Sequence, residues 1–218
     1  MVTAAPSGPM AMFPLQSALL PGEDLPLQIF EPRYTALVRD CMRDKDPRFG
    51  VVLISQGREV GGDDVRSDVG AVARITECVD LGGSGRFVLR CRTIERIRVW
   101  EWLPDNPYPR AIVQAWPDEP GDTVTADQLE TVEDRVMALF ERLATARDLP
   151  LPEREDLLGV DNGIVDAGEW LYALASRIPI GPADRYAVLT APTAAQRLAA
   201  VTEALDSVAA MIEFHLSE

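Results

Sequence analysis

The stretch FPLQSALLPGEDLPLQIFEPRY, from Phe13 to Tyr34, decides the fold. Its first apolar run, around Phe13-Pro14-Leu15, predicts a short strand. Pro21-Gly22 then supplies a turn, because proline presets φ and glycine tolerates the left-handed region. Leu25 to Phe30 predicts a second strand. Pro32 suits the first turn of a helix, where a missing N–H leaves no orphan. Glu31 and Arg33 are candidates to fix the strand-to-helix corner by pairing with neighbours.

Working outward, residues from about Met10 to Trp116 consist of short apolar runs punctuated by Gly and Pro, which are strand signals. The predicted strands are Ala11–Leu15, Leu25–Phe30, Phe49–Ser55, Val69–Leu81, Phe87–Trp102 and Arg110–Trp116. One helix, Pro32–Arg43, interrupts them, with Tyr34, Leu37, Val38 and Cys41 at helical spacing. Gly57–Asp68 and Gly82–Gly85 read as loops. In Phe87–Trp102 the residues alternate. Phe87, Leu89, Cys91, Ile97 and Val99 share one parity, and Arg86, Arg90, Arg92, Arg96 and Arg98 the other. Since strand side chains alternate faces, this predicts an arginine strip on one face, with a bulge where Thr93-Ile94-Glu95 breaks the pattern.

Pro117–Asp122 reads as a linker, and the period then becomes helical. Thr125 with Gln128 and Thr193 with Gln196 are capping boxes, and Asp166 with Glu169 repeats an N-cap signature. Leu129, Val132, Val136, Leu139 and Leu143 form one apolar stripe. Leu198, Val201, Leu205, Val208 and Ile212 form another. Pro182 opens a shorter helix. The expected architecture is α+β, with a tail over 1–9, a β lobe over 10–118 and a helical bundle lobe over 123–218.

Composition narrows the chemistry. The 218 residues carry a net charge of −14, which argues against general nucleic-acid binding, since a polyanion is repelled at long range. Of 21 basic residues only Lys45 is a lysine, and no G-x-x-x-x-G-K-[ST] run surrounds it, so a phosphate-cradling ATPase loop is missing from this sequence. A Ser-Lys peptidase dyad has only Lys45 to draw on, and a Ser-His-Asp arrangement only His215. The three cysteines, Cys41, Cys78 and Cys91, lack metal-binding spacing and read as buried free thiols in a reducing compartment. Gly61–Asp64 (GGDD) is a four-letter match to a cyclase signature in an unrelated context. No run of about 18 apolar residues marks a membrane span, and MVTAAPSGP lacks the basic and apolar regions of a signal peptide. These features predict a cytoplasmic protein with no catalytic residues, no cofactor, no metal and no membrane partner.

The residues of the opening stretch resemble the N-terminal, substrate-binding domain of Lon proteases. The resemblance rests on Phe13-Pro14-Leu15, Leu20-Pro21-Gly22 and the run Leu25-Pro26-Leu27-Gln28-Ile29-Phe30-Glu31-Pro32-Arg33-Tyr34. It continues through Arg48–Ile54, Val69–Ile75 and Gly85–Val99. Trp102–Ala111, Gly181–Arg185 and Arg197-Leu198 are similar to short bacterial members of the group. The resemblance implies a PUA-like, partly closed β-barrel lobe followed by helices. It also implies a non-enzymatic module in protein quality control that binds unfolded or tagged polypeptides and acts as an adaptor for a protease or chaperone partner. Phe30, Tyr34, Trp100, Trp102 and Trp170 are the candidate peptide-binding residues, with a groove expected where the lobes meet. The alternative is a PUA-like binder of RNA or a small ligand that uses Arg86, Arg90, Arg92, Arg96 and Arg98.

Overall fold

The computed structural model describes residues 8–56, 65–83, 85–151, 153–158 and 166–216. The chain separates into two compact units, Met1–Pro117 and Asp118–Glu218. The Gly61–Asp64 run lies outside the described residues.

The first unit contains all the described strands: β1 (Pro9–Leu15), β2 (Asp24–Ile29), β3 (Arg48–Gln56), β4 (Val65–Asp80), β5 (Phe87–Leu103) and β6 (Arg110–Ala115). Its one helix, α1 (Pro32–Cys41), follows β2 directly. Each expected strand is present. β4 starts within the stretch read as a loop, at Val65.

The sheet order is β2-β5-β4-β3-β1-β6, and a further pairing of β5 with β6 closes five of the strands into a ring. Closure depends on the length of β5. Its first part, Phe87–Arg92, pairs with β2, and its last part, Ile97–Leu103, pairs with β6. β4 runs along the other side of β5 from Phe87 to Arg98.

The exchange of partners coincides with the expected bulge. Val72 faces Glu95 and the next residue, Ala73, faces Thr93, so Ile94 is the extra residue. Thr93, 1% exposed, ties the Pro21-Gly22 turn to this point. Its hydroxyl donates to the Leu20 carbonyl at 2.6 Å and accepts from the Glu23 N–H at 2.8 Å. Its backbone exchanges two further bonds with Gly22 and Glu23, each 2.9 Å. Gly22 has φ +90°, a conformation that side-chain-bearing residues avoid.

Strand alternation feeds two apolar clusters. Met12, Val52, Val72, Ile97, Ala111 and Val113 contribute one residue or more from each ring strand and fill the interior. Their neighbours Phe13, Val51 and Ala73 point the other way and join Leu89, Cys91 and the α1 residues Tyr34, Leu37 and Val38 in the second cluster. Burial of these apolar surfaces is the main stabilising term for the unit.

The second unit is helical: α2 (Ala126–Arg147), α3 (Arg154–Leu158), α4 (Ala167–Ala175), α5 (Pro182–Thr190) and α6 (Ala194–Leu216). The Thr125–Gln128 capping box is complete, and the Asp166 carboxylate accepts from the Glu169 N–H. Thr193 Oγ1 accepts from the Gln196 N–H at 3.2 Å. α6 is central, packing on α2, α4 and α5. Arg135 pairs with Asp206 and Arg142 with Glu213, the same sequence offset in both cases, so α2 and α6 run parallel. Among the described residues no helix is long and apolar enough to cross a membrane.

Candidate functional site

The β2-to-α1 corner is built by the opening stretch. Pro32 stands at the helix start, and Glu31, in extended conformation, makes no side-chain cap. The Glu31 carboxylate instead accepts from Arg33 Nε at 3.0 Å. The Arg33 guanidinium lies 4.5 Å from the centre of the Tyr34 ring, and that ring packs 4.2 Å from the ring of Phe13. This nested packing leaves Tyr34 only 4% exposed, so it is a core residue that holds the corner rather than a surface contact. Thr35 Oγ1 donates to the Gly85 carbonyl and fastens α1 to the β4–β5 hairpin. Gly82, Gly83 and Gly85 all have positive φ, which the hairpin requires.

Phe30, between strand and helix, is 59% exposed. It borders a depression of about 330 Å³ lined by Pro32, Thr35, Ala36, Arg39, Gly83 and Gly85. Val79 and Leu81, at the end of β4, are also more than half exposed. The candidate site is this corner: an exposed aromatic ring, a depression with both apolar and polar lining, and one exposed guanidinium.

The remaining aromatic candidates are dispersed. Trp100 is the most exposed of the described large apolar residues, at 68%, and is the extra residue of a second β5 bulge, opposite the Val113/Ile112 step. Trp102 is half-buried, donates from Nε1 to Asp68 at 3.2 Å and lies under the Arg66 guanidinium at 5.1 Å. Arg66 is held in turn by Asp105 through two bonds of 2.9 and 2.8 Å. Trp170 belongs to the second unit and is 6% exposed, so most of its ring is core; one edge reaches a depression lined by Leu129, Glu130, Glu133 and Arg154.

The five arginines do not form one strip. The Ile94 bulge reverses the alternation of β5, so Arg90 and Arg92 share a face with Ile94 and Ile97, whereas Arg96 and Arg98 point to the opposite side. Arg86, Arg90, Arg92 and Arg98 are exposed. Arg90 pairs with Glu77 at 3.4 Å and Arg92 with Asp24 at 2.9 Å, so carboxylates of the adjacent strands neutralise that face. Arg96 is a correction to the expected solvated strip. It is 4% exposed, donates from Nε to the Trp116 carbonyl at 2.9 Å and stacks 4.0 Å from the Trp116 ring centre. Arg98 covers the same ring at 3.3 Å.

Among the described residues the titratable groups form no reacting constellation. Burial, with help from Asp40 and Asp44, pushes the Cys41 thiol up to about 12. Burial likewise pushes Cys91 up to about 12, with smaller contributions from Cys78 and Cys41, and raises Cys78. Such thiols are not thiolate nucleophiles at neutral pH. Burial and a 2.8 Å bond to Asp40 push the Tyr108 hydroxyl up to about 12. Lys45 is exposed in the turn after α1, and the side chain of His215 lies outside the described set. Among the described residues no group of three or more His, Cys, Asp or Glu side chains is arranged to hold a metal ion.

A closed ring with a helix on one strand-to-helix corner, followed by a helical unit, is the fold of Lon N-terminal domains. The structure is similar to the Lon N-terminal domain protein from Xanthomonas campestris, with a TM-score of 0.63 and 27% identity over 90% of this chain and 98% of that one. It shares its fold with the N-terminal domain of the Mycobacterium avium complex Lon protease, with a TM-score of 0.61 and 13% identity over 91% of this chain and 98% of that chain. The chain belongs to the ATP-dependent protease La (LON) substrate-binding domain family, which it matches over residues 9–207. It is 27% identical over 168 residues to the Lon protease of Koribacter versatilis, covering 75% of this chain and 19% of that protein. It is 33% identical over 113 residues to Lon protease 2 of Myxococcus xanthus, covering 50% of this chain and 13% of that one. The chain thus spans less than a fifth of the length of these curated relatives.

Proposed function

We propose that this chain is a polypeptide-recognition module that binds unfolded or tagged proteins, without catalysis of its own, and hands them to a protease or chaperone partner in protein quality control. The observation that carries the reading is the family match, taken with an exposed aromatic at the corner built by the family's most specific residues. A large apolar side chain left more than half exposed on a rigid corner is a ready hot spot for a passing apolar segment. The ion pairs of Arg90 and Arg92 with Glu77 and Asp24 weigh against the RNA reading, because they cancel the basic potential a phosphate backbone needs. Work in the cytoplasm is part of the proposal.

The test is fluorescence anisotropy with a reduced, permanently unfolded protein as the labelled ligand. Binding of roughly micromolar strength is expected, since an extended chain loses much conformational entropy on docking. Phe30→Ala should weaken it by about 1–3 kcal/mol. A wild-type protein that ignores unfolded chains refutes the proposal.

A further inference from the structure

The depression at the β2–α1 corner has an unbalanced charge. Among the described residues Arg39 is its only charged lining residue, and no carboxylate lines it. Arg39 is exposed and enters no ion pair among the described residues. Five other exposed arginines of the same unit are matched: Arg43 with Asp40, Arg48 and Arg74 with Asp46, Arg90 with Glu77, and Arg92 with Asp24, while Arg98 covers the Trp116 ring. Arg86, the residue after Gly85 in the hairpin, is likewise exposed and without an ion pair among the described residues. In a chain with 35 acidic and 21 basic residues, an exposed guanidinium with no carboxylate partner among the described residues, set beside Phe30, Pro32 and Ala36, is a local positive site on an acidic protein.

We infer that this depression takes an extended peptide segment in which a bulky apolar side chain is closely followed by a carboxylate. The inference rests on the polypeptide-recognition reading and adds which segments are preferred. The apolar side chain sits against Phe30, Pro32 and Ala36, displacing water from surfaces that now face it. The carboxylate meets Arg39, whose planar fork suits two parallel hydrogen bonds. Gly83 has open space where a Cβ would stand. The excess of negative charge over the rest of the chain repels the same carboxylate elsewhere, so Arg39 sets the register of the bound segment as well as its affinity.

The experiment uses three labelled peptides that share one Leu/Phe-containing core and differ only in the residues after it: Glu, Gln or Lys. Anisotropy is read with the full chain and with Arg39→Gln, Arg39→Glu and Phe30→Ala. The wild type should bind the Glu peptide roughly tenfold more tightly than the Gln peptide, and the Lys peptide least. Arg39→Gln should erase the preference while leaving the Gln peptide unchanged. Arg39→Glu should reverse it in favour of Lys. Phe30→Ala should weaken all three. Equal binding of Glu and Gln peptides by the wild type overturns the inference and leaves polypeptide recognition standing. A Glu preference that survives Arg39→Glu also overturns it. Failure of all three peptides and of the unfolded protein overturns both.

Discussion

Arg197 and Asp118 form a two-bond ion pair inside the second unit, with Arg197 fully buried and Nη1 donating to Asp118 at 2.7 Å. The pair joins the first residue of the unit to the first turn of α6, and the guanidinium also lies 3.7 Å from the centre of the Tyr172 ring on α4. Arg197 precedes Val201, Ala204 and Val208 at helical spacing, so a charged residue heads the buried stripe of α6.

Removing the acid alone strands a charge in a dry site. Asp118→Ala is expected to destabilise the helical unit by about 3 kcal/mol, whereas Arg197→Met, which removes the charge and keeps much of the packing, should cost less. Urea titrations followed by the helical circular dichroism signal decide it; an Asp118→Ala curve that overlays the wild type refutes the ranking.

The five β5 arginines should separate in a stability assay. Arg96→Ala removes a buried bond to the Trp116 carbonyl and the stacking on that ring, an expected loss of about 2–3 kcal/mol. Arg90→Ala breaks one exposed ion pair and should change stability by less than about 1 kcal/mol. Comparable losses for both would mean that Arg96 is not buried as described.

Thr93→Val keeps the shape of the side chain and removes its hydroxyl. The Glu23 N–H and the Leu20 carbonyl then lose their short bonds to the hydroxyl and keep only the 3.3 Å bond between them, at an expected cost of about 1 kcal/mol. Thr93→Ser should recover most of that. Equal stability of the valine and serine variants would show that the hydroxyl does not hold the turn.

Alkaline pH should loosen the first unit. Cys41 and Cys91 move from an ordinary 9.0 to about 12 on folding, and Tyr108 from 10.0 to about 12. Each group holds its proton more tightly when folded, so its contribution is complete below about pH 9 and is lost as pH rises toward 12. Urea midpoints from pH 7 to 11 should be level at first and then fall. A midpoint that rises above pH 9 contradicts the burial of these groups. At pH 8 a thiol reagent should reach half-buried Cys78 first.

Legibility in the sequence followed the range of the interaction. The six strands, α1 and the helix starts at Thr125, Asp166, Pro182 and Thr193 were readable, because turn chemistry, capping and apolar period are local. The bulge was visible as a break at Thr93-Ile94-Glu95, but its effect on Arg96 and Arg98 was not. Which face a strand residue occupies beyond a bulge depends on the partner's register, which lies far away in sequence. Burial of Arg96 and Arg197 was hidden for a similar reason, since each is matched by a group at least 20 residues distant. At the candidate site, the motif located the corner and Phe30. The isolation of Arg39 required knowing where every neighbouring carboxylate points.

Ring closure has a consequence for how the protein survives its proposed work. A strand bonded on one side only is a template on which another chain can extend the sheet. Each of β1, β3, β4, β5 and β6 has two neighbouring strands, whereas β2, among the described strands, is bonded to β5 alone and presents an open border along its length. That border carries a charge at Asp24 and, at Pro26, a residue with no N–H to offer. If the protein meets sticky, half-folded chains as proposed, this border is poorly suited to let them extend the sheet.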